Sequence, residues 1–401
     1  MNEPARRAKT LAWTSTAYFG EGLPYALLHQ LVTEYLTSLG APSREIGATS
    51  WFHLPVTLKP LWSPLVDLVG TRRGWTFGLQ IAFGLGIALV GAWATLGHTD
   101  RTLFWAALGL LALMHAVHDI ACDGFYMLAL KPREQALYSG TRQAAYRAAM
   151  YVGGGALVLV AARFGWQVAF TTAGLLTAGT GLLNGRLLPH VDEPRGPAHL
   201  APSLRTVYRS FFSQPQAWTV LAFVLTYRLG DVLTSSMSPV LMRELGLGLE
   251  TRGWLRTAGL TSTIGGSVAA GWLLARGGLD RWFPRFTWFM AVPWYLVVAW
   301  LRPPTWAVGL AVVLEQLAGA LAGTAATVFM MRRCARAFSA SHYAFFTALV
   351  SLGSTTAGGF SGLLYERVGG VAYFALTLAA SLPALWLVGR IPTHALDADP
   401  R

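Results

Sequence analysis

Four ionisable side chains, His115, His118, Asp119 and Asp123, fall within nine residues of an apolar run that opens "LFWAALGLLALM". On a helix His115, Asp119 and Asp123 are successive i,i+4 positions and share one face, whereas His118 is rotated from Asp119 by about 100°. Removal from water favours a protonated carboxyl, and a nearby cation favours the ionised one. A carboxylate that loses and regains a cationic partner can therefore take up and release a proton. That chemistry needs a buried layer and elements that move.

The other apolar runs show the same feature. Glu21 interrupts the first run in "YFGEGLPYALLHQ", Arg228 and Asp231 the seventh in "YRLGD", and Glu315 the tenth. An ionisable group near the centre of a bilayer costs at least about 2.5–3.5 kcal/mol on insertion scales, so it faces a cavity or a partner. Glu21 lies 12 residues beyond Lys9, Asp119 12 before Lys131, Arg228 14 beyond Gln214 and Glu315 13 beyond Arg302. At 1.5 Å per residue these are depths of roughly 18–21 Å, near the middle of a tilted span. Four distant segments thus bring charge to one layer.

The elements that must position them are membrane helices. Hydrophobic residues make up 54% of the 401 and charged ones 12%, about half the charged share of a soluble domain. Apolar runs between polar breaks predict twelve spans near 10–36, 45–66, 75–97, 102–129, 137–161 and 165–188, then 214–242, 254–275, 286–301, 305–331, 338–364 and 370–389. The polar stretch 189–213, rich in Pro and Arg, reads as a linker between an N-terminal half, 1–188, and a C-terminal half, 214–401. Clusters such as Arg6, Arg7 and Lys9, or Arg332, Arg333 and Arg336, recur in alternate loops. They put both termini and the linker in the cytoplasm, and the net charge of +12 reads as topology, with no nucleic-acid partner. Cys122 and Cys334 have no metal-ligand spacing, so neither a metal nor another cofactor is expected.

A 6+6 arrangement with a central linker is the layout of the major facilitator transporters, each half of which holds a 3+3 inverted repeat around a midplane site. After the second run, "PLWSPLVDLVGTRRG" resembles the facilitator loop signature, with Asp67, Arg72 and Arg73 at its gating positions and Ser63 in place of a leading Gly. The spans carrying Glu21, Asp119, Arg228 and Glu315 are the first helices of the four repeats, which in this fold line the central cavity. Spans three, six, nine and twelve carry no ionisable residue in their apolar centres. Pro24 removes a backbone hydrogen bond beside Glu21, so the first helix is expected to bend or open there. Asp123, about 12 Å before Lys131 along the helix, is expected at a cytoplasmic gate with Arg142 or Arg147.

Several stretches resemble the AmpG-type muropeptide permeases and their peptide/acetyl-CoA transporter relatives: "EGLPYAL", "LPVTLKPLWSPLVD", "HDIACDGFYM", "YRAAMYVGG", "YRLGD" and "FSASHYAFFTALVSLGSTTAGGFSGLLYERVGG". The resemblance implies import of cell-wall degradation products across the bacterial inner membrane, driven by the proton gradient. It implies that Asp119 and Asp123 match the family's paired aspartates, Arg147 its span-five arginine and Asp231 its span-seven aspartate. Glu21 stands where the family has Ser, Arg228 replaces Lys, and His342 replaces Gln.

The sequence therefore leads to a monomeric, all-helical, proton-coupled importer of a polar glycopeptide. Asp119, Asp123 and Glu21 would handle the proton. Glu21, Gln30, His115, Arg147, Arg228, Asp231 and Glu315 would contact the small-molecule solute, and Asp67, Arg72, Arg73 and Arg142 would gate. Besides protons and solute, its partners would be membrane lipids. The alternatives are a facilitator for a siderophore or another polar metabolite, a transporter-like receptor, and an intramembrane acyltransferase using His115 and Asp119.

Overall fold

A computed structural model of the chain describes residues 3–59, 62, 66, 69–95, 100–130, 132–191, 209–334, 339–391 and 393. Every regular element among them is helical. Among the described residues seven helices are long and apolar enough to cross a membrane: Arg72–Thr95, Arg101–Ala129, Thr141–Phe164, Ala217–Glu244, Leu249–Gly277, Thr305–Arg332 and Gly370–Val388. The chain divides into two compact units. These follow the expected halves except that residues 41–51 group with the second unit and 248–257 with the first. The helix Leu249–Gly277 thus begins in one unit and ends in the other.

In the first unit the fourth-span helix, Arg101–Ala129, is continuous and is capped at its start by the Asp100 carboxylate, which accepts from the Leu103 N–H at 3.1 Å. Continuity keeps His115, Asp119 and Asp123 on one face. The third-span helix, Arg72–Thr95, and the sixth, Trp166–Leu187, pack through Gly84 and Gly174. A Cβ on Gly84 would sit 2.5 Å from the backbone nitrogen of Ala178, so the two backbones meet without side chains between them. Leu89 and Leu175 lie on the outside, 70% and 68% exposed, as expected for surfaces facing lipid tails.

The first span departs from expectation. Its helix Glu3–Ala26 runs through Pro24, and the irregularity follows as a π-helical turn, Leu27–Leu31, before helix resumes over Val32–Ser38. The helix continues through Pro24, whose missing N–H and ring affect the preceding turn, and the π turn begins three residues beyond it. A second π turn, Val152–Ala156, lies within span five between Pro132–Tyr151 and Leu157–Phe164, and the two π turns touch. Its sequence VGGGA allows this approach: Gly153 lies against Ala26 and Gly154 against Gln30.

Span two, expected as one helix over 45–66, is segmented into Ser43–Ala48, a 3₁₀ turn Thr49–His53 and Leu54–Thr57. The boundary between the two units falls within this 3₁₀ turn.

In the second unit span seven is broken at Tyr227 and Arg228, between helices Ala217–Thr226 and Leu229–Glu244. Span nine is broken at Ala291–Pro293, between Leu279–Met290 and Trp294–Leu301. The unit's core is aromatic, with Phe211, Phe223, Phe283, Phe329 and Phe346 all fully buried. Trp218, Trp300, Trp306 and Trp386, by contrast, are highly exposed near helix ends, the placement of an interfacial aromatic belt.

Candidate functional site

The first unit gathers its buried charge into one cluster. Asp119 forms an ion pair with Lys59 of the second span, and the buried Glu21 carboxyl is a neighbour of Asp119, Asp123 and the Cys122 thiol. One turn along, Asp123 Oδ1 pairs with Arg142 Nη2 at 2.9 Å and accepts from the Tyr18 hydroxyl at 2.9 Å. The Arg142 guanidinium also lies over the Tyr18 ring, 4.4 Å from its centroid. Glu21 and Asp119 are 4% and 8% exposed, so these charges depend on one another rather than on solvent.

Beyond Asp119, imidazoles replace carboxylates. Tyr25 is surrounded by His29, His53 and His115, with ring centroids 4.5, 5.6 and 6.4 Å away, and His29 lies 5.7 Å from His53. His118 is also buried, and neither of its ring nitrogens has a hydrogen-bond partner among the described residues. Gln30 donates to the Met150 sulfur at 3.9 Å, at the contact of the two π turns. Arg147 is half-buried in span five and makes no ion pair among the described residues. Further along the first span, buried Glu34 accepts from Arg252 Nε at 3.0 Å, with Arg256 3.8 Å from its other oxygen.

Of the expected gating residues, Arg73 donates from Nε to the Leu188 carbonyl at 3.1 Å and from Nη2 to the Gly185 carbonyl. It thereby caps the C-terminal end of the sixth-span helix. The Arg72 stem crosses the fourth span at Gly124, where a Cβ would lie 2.9 Å from its Cδ. Asp67 and residues 192–208 of the expected linker lie outside the described residues.

In the second unit Arg228 pairs with Asp231, Nη2 to Oδ2, at 2.7 Å. Arg228 is the N-cap residue of Leu229–Glu244 and Asp231 lies in its first turn, and Gly319 provides space beside Asp231 Oδ1. Asp231 and Glu315 line one small cavity of about 20 Å³, room for roughly one water, together with Thr234, Trp294, Tyr295 and Ser381. Glu315 also accepts from the Gln316 amide at 2.8 Å.

Lys59, His53, Tyr18 and Tyr25 were not among the residues expected from sequence. Lys59 had a usable signal: a lysine inside an apolar run must have a partner, and Asp119 needed a cation. His53 lacked such a signal, because nothing in the spacing of span two shows which way its segmented backbone turns.

Residues 14–300 match the profile of the Major Facilitator Superfamily. The chain belongs to this superfamily. It is 28% identical over 382 residues to the anhydromuropeptide permease of Escherichia coli K12, covering 92% of this chain and 77% of that one. The fold is similar to that of a D-xylose–proton symporter, with a TM-score of 0.72 at 11% identity over 96% and 98% of the two chains. It is also similar to a bacterial homologue of the human lysosomal transporter Spinster, with a TM-score of 0.69 at 15% identity over 97% and 94%. The facilitator fold expected from sequence is thus the fold found, and the chain is a transporter.

Proposed function

We propose that this facilitator imports an anionic muropeptide-type solute across the bacterial inner membrane, coupled to protons, with Asp119 as the coupling site. The proposal includes the full twelve-span topology with both termini cytoplasmic, and a monomer with no cofactor. The carrying observation is the composition of the buried cluster. Glu21, Asp119 and Asp123 provide three acids against two bases, Lys59 and Arg142. Fully ionised, the cluster holds one uncompensated negative charge in a medium that penalises it. One proton neutralises it; withdrawal of Lys59 from Asp119 would favour proton uptake and its return would favour release. Such a linkage is a physical basis for coupling solute movement to one proton.

The solute class is supported by the resemblance to the anhydromuropeptide permease and by Arg147, a half-buried guanidinium without an acidic partner among the described residues. Guanidinium groups hold carboxylates in bidentate geometry, and a muropeptide stem ends in one. Arg228, Asp231 and Glu315 give the second unit polar contacts of both signs.

The test is uptake of an N-acetylglucosaminyl-anhydromuramyl peptide into proteoliposomes with and without an imposed pH gradient. Wild type should accumulate it only with the gradient, and Asp119→Asn should lose accumulation while keeping folded yield. Gradient-driven accumulation by Asp119→Asn at the wild-type level would remove Asp119 from the role. Absence of any wild-type uptake would overturn the solute class.

A further inference from the structure

The acid–base cluster continues into a line of histidines that sequence spacing did not connect. His115 is one turn from Asp119 on the fourth span, His53 comes from the 3₁₀ turn of the second, and His29 lies in the π turn of the first. His29 is eight residues beyond Glu21, about 12 Å along the helix. The row therefore runs from the carboxylates towards the end of the unit that carries Glu34 and Arg252.

His29 Nε2, His53 Nδ1 and His115 Nδ1 are buried and have no hydrogen-bond partner among the described residues. A buried ring nitrogen left unpaired costs about 1–3 kcal/mol, so three in one cluster call for a shared ligand or water. Among the described residues no group of three or more acidic, His or Cys side chains is placed to hold a metal ion. The His29 and His53 ring centroids lie 5.7 Å apart, a spacing that suits a single bridging water, and both rings pack with His115 around Tyr25. An imidazole accepts a proton on one nitrogen and releases one from the other, so a row of them passes protons without net displacement of the rings.

We propose that His29, His53 and His115 form a proton relay joining the outer end of the first unit to the Asp119–Glu21 pair. This rests on the proton-coupled reading above. The groups facing the relay are Asp119, Lys59, His118 and Tyr25, with Tyr146 of span five beside Tyr25. Lys59 is the one cation among these, and its pairing with Asp119 keeps that charge compensated. A proton passing inward leaves water for His29, moves to His53 and then His115, and ends on the Asp119–Glu21 pair. No bond other than O–H and N–H is made or broken.

The test separates the relay from the solute reading by using the protein alone. In lipid nanodiscs, a pH jump should produce a carboxyl infrared band that Glu21→Gln and Asp119→Asn alter. His53→Gln and His115→Gln, which keep hydrogen-bonding capacity but cannot pass a proton, should slow its appearance about tenfold or more. Added free imidazole should restore much of the rate in a His53→Ala variant, which a purely structural role would not allow. A band that forms at the wild-type rate in both Gln variants overturns the relay. In a parallel arm, muropeptide counterflow, which needs no net proton movement, should stay at the wild-type level in His53→Gln. If wild type shows no counterflow, the solute class fails, and the infrared rates still decide the relay.

Discussion

Removing the Glu34 carboxylate should destabilise the protein far more than a surface ion pair would. The Glu34 and Arg252 side chains are 3% and 4% exposed and 3.0 Å apart. At an effective dielectric near 20, unit charges at that distance attract by about 5 kcal/mol. Glu34→Gln takes the paired carboxylate away from the buried Arg252 guanidinium, a loss of about 3–5 kcal/mol. Arg256 adds little, being 3.8 Å away and 27% exposed, so it returns to water when Glu34 is gone. Thermal unfolding in detergent should therefore fall by several degrees for Glu34→Gln, and Glu34→Gln/Arg252→Met should recover most of the loss, because replacing both charges removes the desolvation cost with the attraction. Arg163 and Glu250, paired at 2.8 Å but 57% and 51% exposed, provide the control: Arg163→Gln should leave the unfolding temperature nearly unchanged. Equal shifts for Glu34→Gln and Arg163→Gln, or additive losses in the double variant, would refute the reasoning.

Arg147→Gln should raise KM for an anionic muropeptide roughly ten- to a hundredfold, the worth of one or two charge-assisted hydrogen bonds, and should leave the folded yield unchanged; initial-rate uptake reads this. Burial pushes the Cys334 thiol, which lies just past the helix Thr305–Arg332, up to about 11. Because the thiolate is the reactive form, alkylation in a Cys122→Ala background should be slow at pH 8. It should keep climbing about tenfold per unit to pH 10, where an ordinary thiol near 8.5 has levelled off. Gly84→Leu should lower the unfolding temperature markedly, since its side chain must enter a contact in which even a Cβ meets backbone at 2.5 Å; Gly78→Leu, with open space around it, should not.

The depth argument that placed Glu21 and Asp119 in one layer used only residue counts and helix rise, and the two carboxyls are neighbours in the buried cluster. The i,i+4 face of His115, Asp119 and Asp123 was equally legible, because a continuous helix fixes it. The choice of Arg142 over Arg147 as the Asp123 partner was not, since both fall on span five and only the packed rotation of that helix separates them. The pairing of Glu34 with Arg252 and Arg256 was not legible either, because those cations sit inside the helix Leu249–Gly277, far along the chain from the first span.

The sequence by itself determined that this is a helical membrane protein, which runs are apolar, and which of them carry charge, because composition and the helical repeat act locally along the chain. Only the tertiary structure decided which charges meet. Lys59 reaches Asp119 through a segmented span two, Pro24 is followed by a π turn instead of an open break, and His29 and His53 join His115 because two irregular turns bring them around Tyr25. The reason is that a departure of one residue from the regular α repeat rotates a side chain by about 100°. Such a rotation selects a different partner, and its position depends on what packs against the helix.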